Sequence, residues 1–437
     1  MKIKCLLFSV ALAMGFQSQA QWVTDSVAMG PSYGNDVYYS LSHGAQGSPV
    51  SNTNWHLGFE MIPGGPGFGG VSIIANHVQG GVKVYSLHLT GSSKFATLAA
   101  GDTVNKTQLY NADTNWDWGA FNVNTSGNMF DYGWGQYSSS THFVDGDSLY
   151  LLNIGGIKYK MCVTHYHSFP TASIYYAFHI ANFDGSADYQ DTIRKSPNYM
   201  NKNFAYFDVV NNMEVNREPD SKTWDVVFAR YLDYKAGPPG APYPTMGILS
   251  NIGVAVADVR MVNPDTTVSY NAYSYTKAMN EIGFDWKIFT PPTGPYTIDT
   301  NATFFVKTVD TALYQIKFIR FESGSGPTGT GKVVFAKRLW KHPLTINTVA
   351  NSNILKHAIM PNPANNSADI AVEAKENGTA MIYVTDITGK IVVKNNISLN
   401  AGLNGFNINT SNYTAGTYIV TITNGDWKVN EKLIVQH

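Results

Sequence analysis

The sequence predicts an all-β protein: two duplicated antiparallel β domains followed by a small C-terminal β-sandwich. Strand-length windows alternate or run apolar throughout, as at 82–89 and 314–321. The joints between them are rich in Gly, Pro and Asn, as at 63–70 and 237–244. No segment keeps the apolar period of a helix beyond two turns, so the β signal meets no competing pattern.

The N-terminus predicts export. Lys2 and Lys4 precede an apolar run over 6–14, which is too short to span a bilayer. The residues before Gln21 form a small-x-small cleavage pattern, so residues 1–20 are interpreted as a signal peptide. No later stretch is long and apolar enough to span a membrane, so no transmembrane segment is expected.

Composition narrows the function classes. The mature chain keeps one cysteine, Cys162, so an internal disulfide cannot stabilise the fold. Loss of Lys2 and Lys4 leaves 28 basic against 31 acidic side chains, a net charge of −3. This balance offers no electrostatic basis for binding nucleic acid, and none is expected as a partner.

The central part of the chain repeats. Three aromatic landmarks recur in the same order, with separations of 169, 168 and 155 residues. The pairs are Trp55 and Trp224, Trp118 and Trp286, and Tyr159 and Tyr314. We interpret residues 21–190 and 191–342 as duplicated β domains, the first carrying an insertion within 128–147.

The C-terminus carries three ordered motifs. A Pro-Asn-Pro entry begins at Pro361, a Val-x-Asp-x-x-Gly-Lys turn runs from Val384 to Lys390, and an Ala-Gly-Thr-Tyr strand ends at Tyr418. Together they resemble the C-terminal sorting domain of type IX secretion substrates, a family of Bacteroidota. The resemblance implies a sorting domain at 359–437 after a linker at 343–358. It also implies contact with the type IX secretion machinery and passage through the periplasm to a secreted or outer-surface location.

Strand motifs in the second copy carry a further resemblance. A Trp-Asp-Val-Val-Phe-Ala-Arg strand starts at Trp224 after an aromatic strand at 204–208, and two further strands close the copy at 314–318 and 331–340. These motifs resemble the HmuY-like haem-binding fold, an all-β secreted or surface domain. The resemblance implies haem as a cofactor, held between two axial histidines or methionines.

Histidine placement selects the candidate ligands. Eight histidines lie in the first copy and none between His179 and His342, so the second copy keeps only thioether candidates, Met246 and Met261. The candidate haem-binding residues are His165 and His167, which alternate onto one face of a strand, and His142 from the inserted loop. The alternatives are that the pair lies at a solvated strand end and that His142 is an ordinary loop residue without a binding role.

Other polar groups suggest no chemistry. His56 is expected to be exposed or at a sheet edge, and the aspartate turns at 145–147 and 184–188 complete no calcium loop. Without a catalytic or metal-site motif, the sequence predicts a non-catalytic ligand-binding protein, with haem or another small molecule bound by the first domain. The alternative is a surface adhesin or structural protein without a cofactor, and a hydrolase ranks third.

Overall fold

A computed structural model describes residues 21–62, 71–123, 130–138, 141, 143–167, 173–290, 295–341, 353–424 and 427–437. The chain divides into two compact units, Met1–Pro343 and Leu344–His437, and each is described by itself. Regular structure is almost entirely strand, so the predicted all-β class is confirmed. No helix of the described ranges is long and apolar enough to cross a membrane. The predicted signal peptide lies outside them.

The strands of the first unit are, in chain order, β1 Val23–Ala28, β2 Asn35–Ser40, β3 Gly44–Ala45, β4 Val50–Ser51, β5 Leu57–Glu60, β6 Ile73–Ala75, β7 Lys83–Thr90, β8 Gln108–Leu109, β9 Gly135–Ser138, β10 Phe143–Gly146, β11 Ser148–Ile154, β12 Ile157–His167, β13 Tyr175–Asn182, β14 Tyr189–Arg194, β15 Phe204–Asp208, β16 Met213–Val215, β17 Val226–Asp233, β18 Tyr243–Ser250, β19 Ala255–Val259, β20 Lys287–Phe289, β21 Tyr296–Ile298, β22 Thr303–Lys307, β23 Leu313–Phe321 and β24 Lys332–Lys341. Short 3-10 helices occupy Pro31–Tyr33, Ser92–Lys94, Ala100–Thr103, Ala120–Asn122 and Tyr270–Ala272.

The first unit contains two β-sandwiches, here lobe 1 and lobe 2. In lobe 1 a large sheet, β14-β13-β12-β11-β7-β8 with β9 and β10 at one corner, packs on a small sheet, β16-β15-β5-β6. In lobe 2 the sheet β1-β24-β23-β22-β19 packs on a small sheet, β18-β17-β2-β3 with β4. Each lobe has its own core; Phe59 and Tyr176 are fully buried in lobe 1, and Phe304 and Trp286 in lobe 2.

The lobes exchange strands between the two predicted copies. β1 and β2 come from the first copy but pair with β24 and β17 in lobe 2. β15 and β16 come from the second copy, and β15 pairs with β5 in lobe 1. The lobes therefore differ from the predicted domains 21–190 and 191–342, because the first strands of each copy belong to the other lobe. The predicted boundary between residues 190 and 191 falls inside β14.

Matching local geometry relates the two copies. The Asn76 amide donates to the carbonyl of Trp55 at 3.0 Å, and the Asn251 amide donates to the carbonyl of Trp224 at 2.7 Å. The register of β12 against β13 shifts after Val163, and that of β23 against β24 shifts after Phe318, its counterpart 155 residues later. In both copies, therefore, an asparagine amide binds the carbonyl of the tryptophan, and the register of the long hairpin shifts at the equivalent position.

The central strands of the two small sheets, β15 and β17, are buried on both faces, where the lobes meet. In β15, Ala205 and Phe207 join the core of lobe 1, whereas Phe204 and Tyr206 form a separate cluster on the other face. The strand β17 alternates in the same way, with Phe228 in the core of lobe 2. Strands buried on both faces explain why these segments read as nearly continuous apolar runs.

The second unit is a sandwich of two antiparallel sheets. Its strands are β25 Ile354–Met360, β26 Ser367–Ala374, β27 Gly378–Asp386, β28 Ile391–Leu399, β29 Gly402–Asn409, β30 Gly416–Thr423 and β31 Lys428–Val435. The sheet β25-β26-β29 packs on β28-β27-β30-β31 around residues such as Ile370, Val384, Val420 and Leu433. The first strand starts inside the predicted linker, most of which lies outside the described residues.

Candidate functional site

A cavity of about 110 Å³ lies between the two small sheets of the first unit. Trp55 and Tyr206 line it from lobe 1, and Tyr38 and Trp224 line it from lobe 2. The rings of Trp55 and Tyr206 meet edge to face at 4.8 Å, and those of Trp224 and Tyr38 at 4.9 Å. The two walls are therefore built from equivalent residues of the two copies. The cavity has room for several water molecules or for one small ring.

Trp116 joins the two walls. Its side chain packs against the aromatic clusters of both lobes, and its indole nitrogen donates to the carbonyl of Ser250 at 2.8 Å. The sequence repeats Trp118 as Trp286. Trp286 is fully buried, but Trp118 is 46 % exposed. Trp118 therefore does not share the core role of its counterpart.

A buried arginine crosses the seam between the lobes. Arg217 donates to a carboxylate oxygen of Asp36 at 2.6 Å and to the hydroxyl of Tyr38 at 3.3 Å. Its guanidinium lies 5.4 Å from the ring centroid of Trp55 and 5.0 Å from that of Tyr206. Because the charge is paired and packed between aromatic rings, it can remain buried.

Glu218 follows directly and is also buried. Its carboxylate accepts hydrogen bonds from the backbone nitrogens of Asn203 and Phe204, both at 3.1 Å, and from the hydroxyl of Tyr206 at 3.2 Å. Burial is the largest influence and raises the pKa of Glu218 to about 7, although these hydrogen bonds oppose the shift. Glu218 is therefore the cavity residue whose charge changes near neutral pH.

His77, on the lobe 1 side, is neutral. Burial lowers the pKa of His77 to about 4. Its Nδ1 lies 2.8 Å from the carbonyl of Val82, and its Nε2 accepts from the backbone nitrogen of Asn111 at 3.3 Å. Since a carbonyl only accepts, Nδ1 carries the proton.

Five buried polar atoms around this cavity have no hydrogen-bond partner. They are Nε1 of Trp55, Nε1 of Trp224, Nε of Arg217, Oδ1 of Asn115 and Oδ1 of Asn203. In the described part of the chain only three other buried side-chain atoms share this condition, on Trp22, Ser250 and Tyr413. Buried polar groups are nearly always paired, so this concentration marks the cavity as a candidate site.

A wider groove adjoins the cavity. Its volume is about 790 Å³, and it shares Asn111 and Ala112 with the cavity lining. Trp118 and Tyr234 line the groove and are 46 % and 44 % exposed. Large exposed aromatic side chains beside a cavity are typical of a binding surface.

The predicted histidine pair lies elsewhere, at the corner of lobe 1 formed by β10 and β12. The rings of His165 and His167 lie 4.2 and 4.8 Å from that of Phe143, so they share one face as expected. His165 Nδ1 lies 3.0 Å from a carboxylate oxygen of Asp145. His142 lies outside the described residues. The role of these three histidines in binding haem stays a prediction.

The expectation for His56 was wrong. His56 is 7 % exposed, and its Nδ1 accepts from the backbone nitrogen of Val209 at 3.2 Å. Its counterpart Asp225 accepts from the backbone nitrogen of Leu41 at 2.8 Å. In both copies the side chain at this position accepts a hydrogen bond from a residue that follows an exchanged strand. The expectation failed because the alternation within one strand contains no information about a partner from the other copy.

The described residues contain no group of three or more His, Cys, Asp or Glu side chains that could hold a metal ion. In the predicted turn at 184–188, Asp184 accepts hydrogen bonds from the backbone nitrogen and hydroxyl of Ser186 at 2.8 and 2.6 Å. This is ordinary turn chemistry.

The C-terminal motifs have clear structural roles. Asn362, in the Pro-Asn-Pro entry, donates to the carbonyl of Lys432 at 2.7 Å and accepts from the backbone nitrogen of Ile434 at 2.9 Å. It thereby attaches the entry segment to β31. Asp386 accepts from the backbone nitrogens of Thr388 and Lys390 at 2.8 and 3.0 Å, closing the turn before β28.

Comparison with known families identifies this second unit. Residues 358–436 match the family model described as secretion system C-terminal sorting domain. This segment is a type IX secretion sorting domain. The protein is therefore a secreted substrate of type IX secretion, with an outer-surface or released location, and the secretion machinery is its partner. No curated protein matches the chain.

Proposed function

We propose that this secreted protein binds a small molecule in the cavity between its two lobes and does not transform it. The supporting observation is an aromatic-lined cavity of about 110 Å³ beside a groove of about 790 Å³ in which Trp118 and Tyr234 are exposed. No reaction is included, because Glu218, which titrates near neutrality, accepts three hydrogen bonds from the protein itself.

The test is designed around Ala112, which lines the cavity and is only half-buried. A phenyl ring in Ala112→Phe obstructs the cavity with little change to the cores, and Ala112→Ser is the matched control. Each mature protein is purified from culture medium, and the small molecules released on denaturation are identified by mass spectrometry. We expect a molecule that accompanies the wild type and Ala112→Ser but not Ala112→Phe. Identical molecules from all three proteins would contradict the proposal.

Haem at the corner of lobe 1 is the second candidate. The observation in its favour is that His165 and His167 share one face, with the rings of Phe143 and Tyr175 against them. A porphyrin is too large for the cavity between the lobes, so the two candidates occupy separate places. Imidazole nitrogens are suitable axial ligands for haem iron.

Haemin titration of the mature protein, followed in the Soret region, tests this second candidate. We expect a bound spectrum that His165→Ala/His167→Ala removes, or that His142→Ala removes if the inserted loop supplies a ligand. A bound spectrum unchanged by all of these substitutions would exclude the named ligands. A protein that binds neither haem nor a cavity ligand would instead fit the adhesin alternative.

A further inference from the structure

We propose that a strand of the type IX secretion machinery pairs with the outer edge of β28 in the sorting domain, and that three exposed apolar side chains anchor it. This surface belongs to the sorting domain alone, so it does not depend on a ligand in the first unit. Three features mark it: the concentration of exposed apolar side chains, the contrast between the two edges of one sheet, and the charge of the hairpin.

The exposed large apolar side chains of the sorting domain, among those that the structure describes, all lie in one hairpin. Ile387 is 79 % exposed, Ile391 is 51 % exposed and Val392 is 38 % exposed. They occupy the turn between β27 and β28 and the start of β28, and together they form the apolar tip of the hairpin. Apolar residues that are exposed together, rather than scattered singly, are typical of a surface that binds another protein.

The two edges of the sheet β28-β27-β30-β31 differ. The entry segment covers β31: the backbone nitrogen of Ala364 donates to the carbonyl of Ile434 at 2.8 Å, and the backbone nitrogen of Gln436 donates to the carbonyl of Ala364 at 2.8 Å. The Asn362 side chain adds two further hydrogen bonds to β31. At the other edge, β28 pairs only with β27 among the described residues. Its outer side therefore presents backbone donors and acceptors to which another strand can bind.

This edge is long and exposed. β28 has nine residues, of which six are exposed, so it offers a full-length template for one more strand. A long exposed edge is a liability for a protein unless it is protected or used in binding. In recognition by strand addition, the main chain supplies affinity and the side chains supply specificity. The apolar tip provides the side-chain contacts that such a strand needs.

The charge of the hairpin disfavours a second copy as the occupant. Residues 378–399 contain Lys390 and Lys394 but one acidic residue, Asp386, so the hairpin has a net charge of +1. Asp386 already accepts hydrogen bonds from the backbone nitrogens of Thr388 and Lys390. Two such hairpins would repel each other, whereas a strand with acidic and apolar side chains would be attracted. The family match gives the secretion machinery as the partner of this domain.

Secretion assays with the full chain test this surface. In Ile387→Glu/Val392→Glu two anchors become acidic, and we expect about tenfold less protein at the cell surface and in the medium, with a matching increase in the periplasm. Ile387→Val/Val392→Ile keeps the apolar character, and Thr379→Glu adds an acid at the exposed start of β27, outside the apolar tip. Both controls should be secreted at the wild-type level. Thermal unfolding of each purified mature protein shows whether the variant folds.

Photo-cross-linking identifies the occupant directly. The mature Val392→Cys protein, labelled with a photoreactive maleimide, is illuminated with detergent-solubilised membranes of the producing bacterium. We expect residue 392 to be joined to a peptide of the secretion machinery in which apolar and acidic side chains alternate. The matched Thr379→Cys protein should not form this link. Cys162 is buried and should not take the label.

Two outcomes would overturn the proposal. The first is normal secretion of a folded Ile387→Glu/Val392→Glu protein, which would leave the apolar tip without a role in transport. The second is that residue 392 forms links only to another copy of the chain, or to no protein. Links between copies would make the edge of β28 a self-association surface instead. If the glutamate variant does not fold, the cross-linking result alone decides.

Discussion

Arg217 and Asp36 form a buried ion pair between segments that are 181 residues apart in the chain. The pair lies at the seam of the two lobes, where Asp36 also accepts from the Asn52 amide at 3.0 Å. Removing one member leaves the other charge buried without its partner. This costs more free energy than the intact pair contributes to stability.

We predict that Arg217→Met lowers the free energy of unfolding by about 3–5 kcal/mol. The measurement is urea unfolding followed by tryptophan fluorescence. The control is Arg217→Met/Asp36→Asn, in which no unpaired charge remains, and it should recover most of the loss. Equal losses in the single and double variants would show that the ion pair is not the cause.

Glu218 should make stability depend on pH. Its pKa is raised from an ordinary value of 4.5 to about 7 in the folded protein. The folded state therefore holds a proton that the unfolded state releases. The resulting stability is fully present below pH 4.5 and is lost as pH rises through about 7, a change of about 3 kcal/mol.

Urea unfolding between pH 4.5 and pH 8 measures this change. Glu218→Gln does not titrate, so its unfolding free energy should vary less with pH, although losing an acceptor makes it less stable overall. Parallel pH profiles for the wild type and Glu218→Gln would show that Glu218 does not titrate in this range.

The sequence predicted some site residues and could not predict others. Trp55 and Trp224 stood out because they repeat, and both are buried. Arg217 and Glu218 gave no signal, because a charged pair between two strands is usually solvated. Their burial depends on Asp36 and Tyr38 arriving from the other copy, which is long-range information that local patterns do not contain.

Turns and strands account for much of what was predicted at the scale of single elements. The Gly- and Pro-rich joints separate strands as expected, and the Val-x-Asp-x-x-Gly-Lys pattern forms the turn between β27 and β28. In that turn Gly389 has φ +88°, a conformation that strongly favours glycine. The choice of strand partners was not predictable, since an apolar strand carries little information about which neighbour it will pair with.

We predict that Gly389→Ala destabilises the sorting domain by about 1–2 kcal/mol, because alanine is strained in the left-handed region. Amide hydrogen exchange over residues 384–392 measures the effect. Gly405→Ala is the matched control: a Cβ there meets no atom within 4 Å, and its φ lies outside the left-handed region. Similar exchange in both variants would contradict the assigned role of Gly389.

The molecule as a whole separates transport from binding. The first unit has its own cores, and the sorting domain has another. We predict that a chain ending at Lys341 folds but accumulates in the periplasm, because it lacks the segment that the secretion machinery recognises. Circular dichroism and cell fractionation measure the two parts of this prediction. Surface appearance of the truncated protein at the normal level would contradict it.

Strand exchange is what gives the first unit its shared cavity. β2 brings Tyr38 to Trp224, and β15 brings Tyr206 to Trp55, so each wall combines both copies. If each copy kept its own first strands, the two walls would belong to separate domains. The candidate site therefore depends on the exchange more than on any single residue.

Disulfide trapping tests the exchange most directly. Ser26 on β1 lies opposite Val334 on β24, and Ala177 on β13 is the equivalent of Val334 in the first copy. Oxidised Ser26→Cys/Val334→Cys should yield a linked peptide pair in mass spectrometry, whereas Ser26→Cys/Ala177→Cys should not. The buried Cys162 is a poor competitor, because burial raises the pKa of its thiol to about 11. Linkage of 26 to 177 without linkage of 26 to 334 would contradict the exchange and the shared cavity with it.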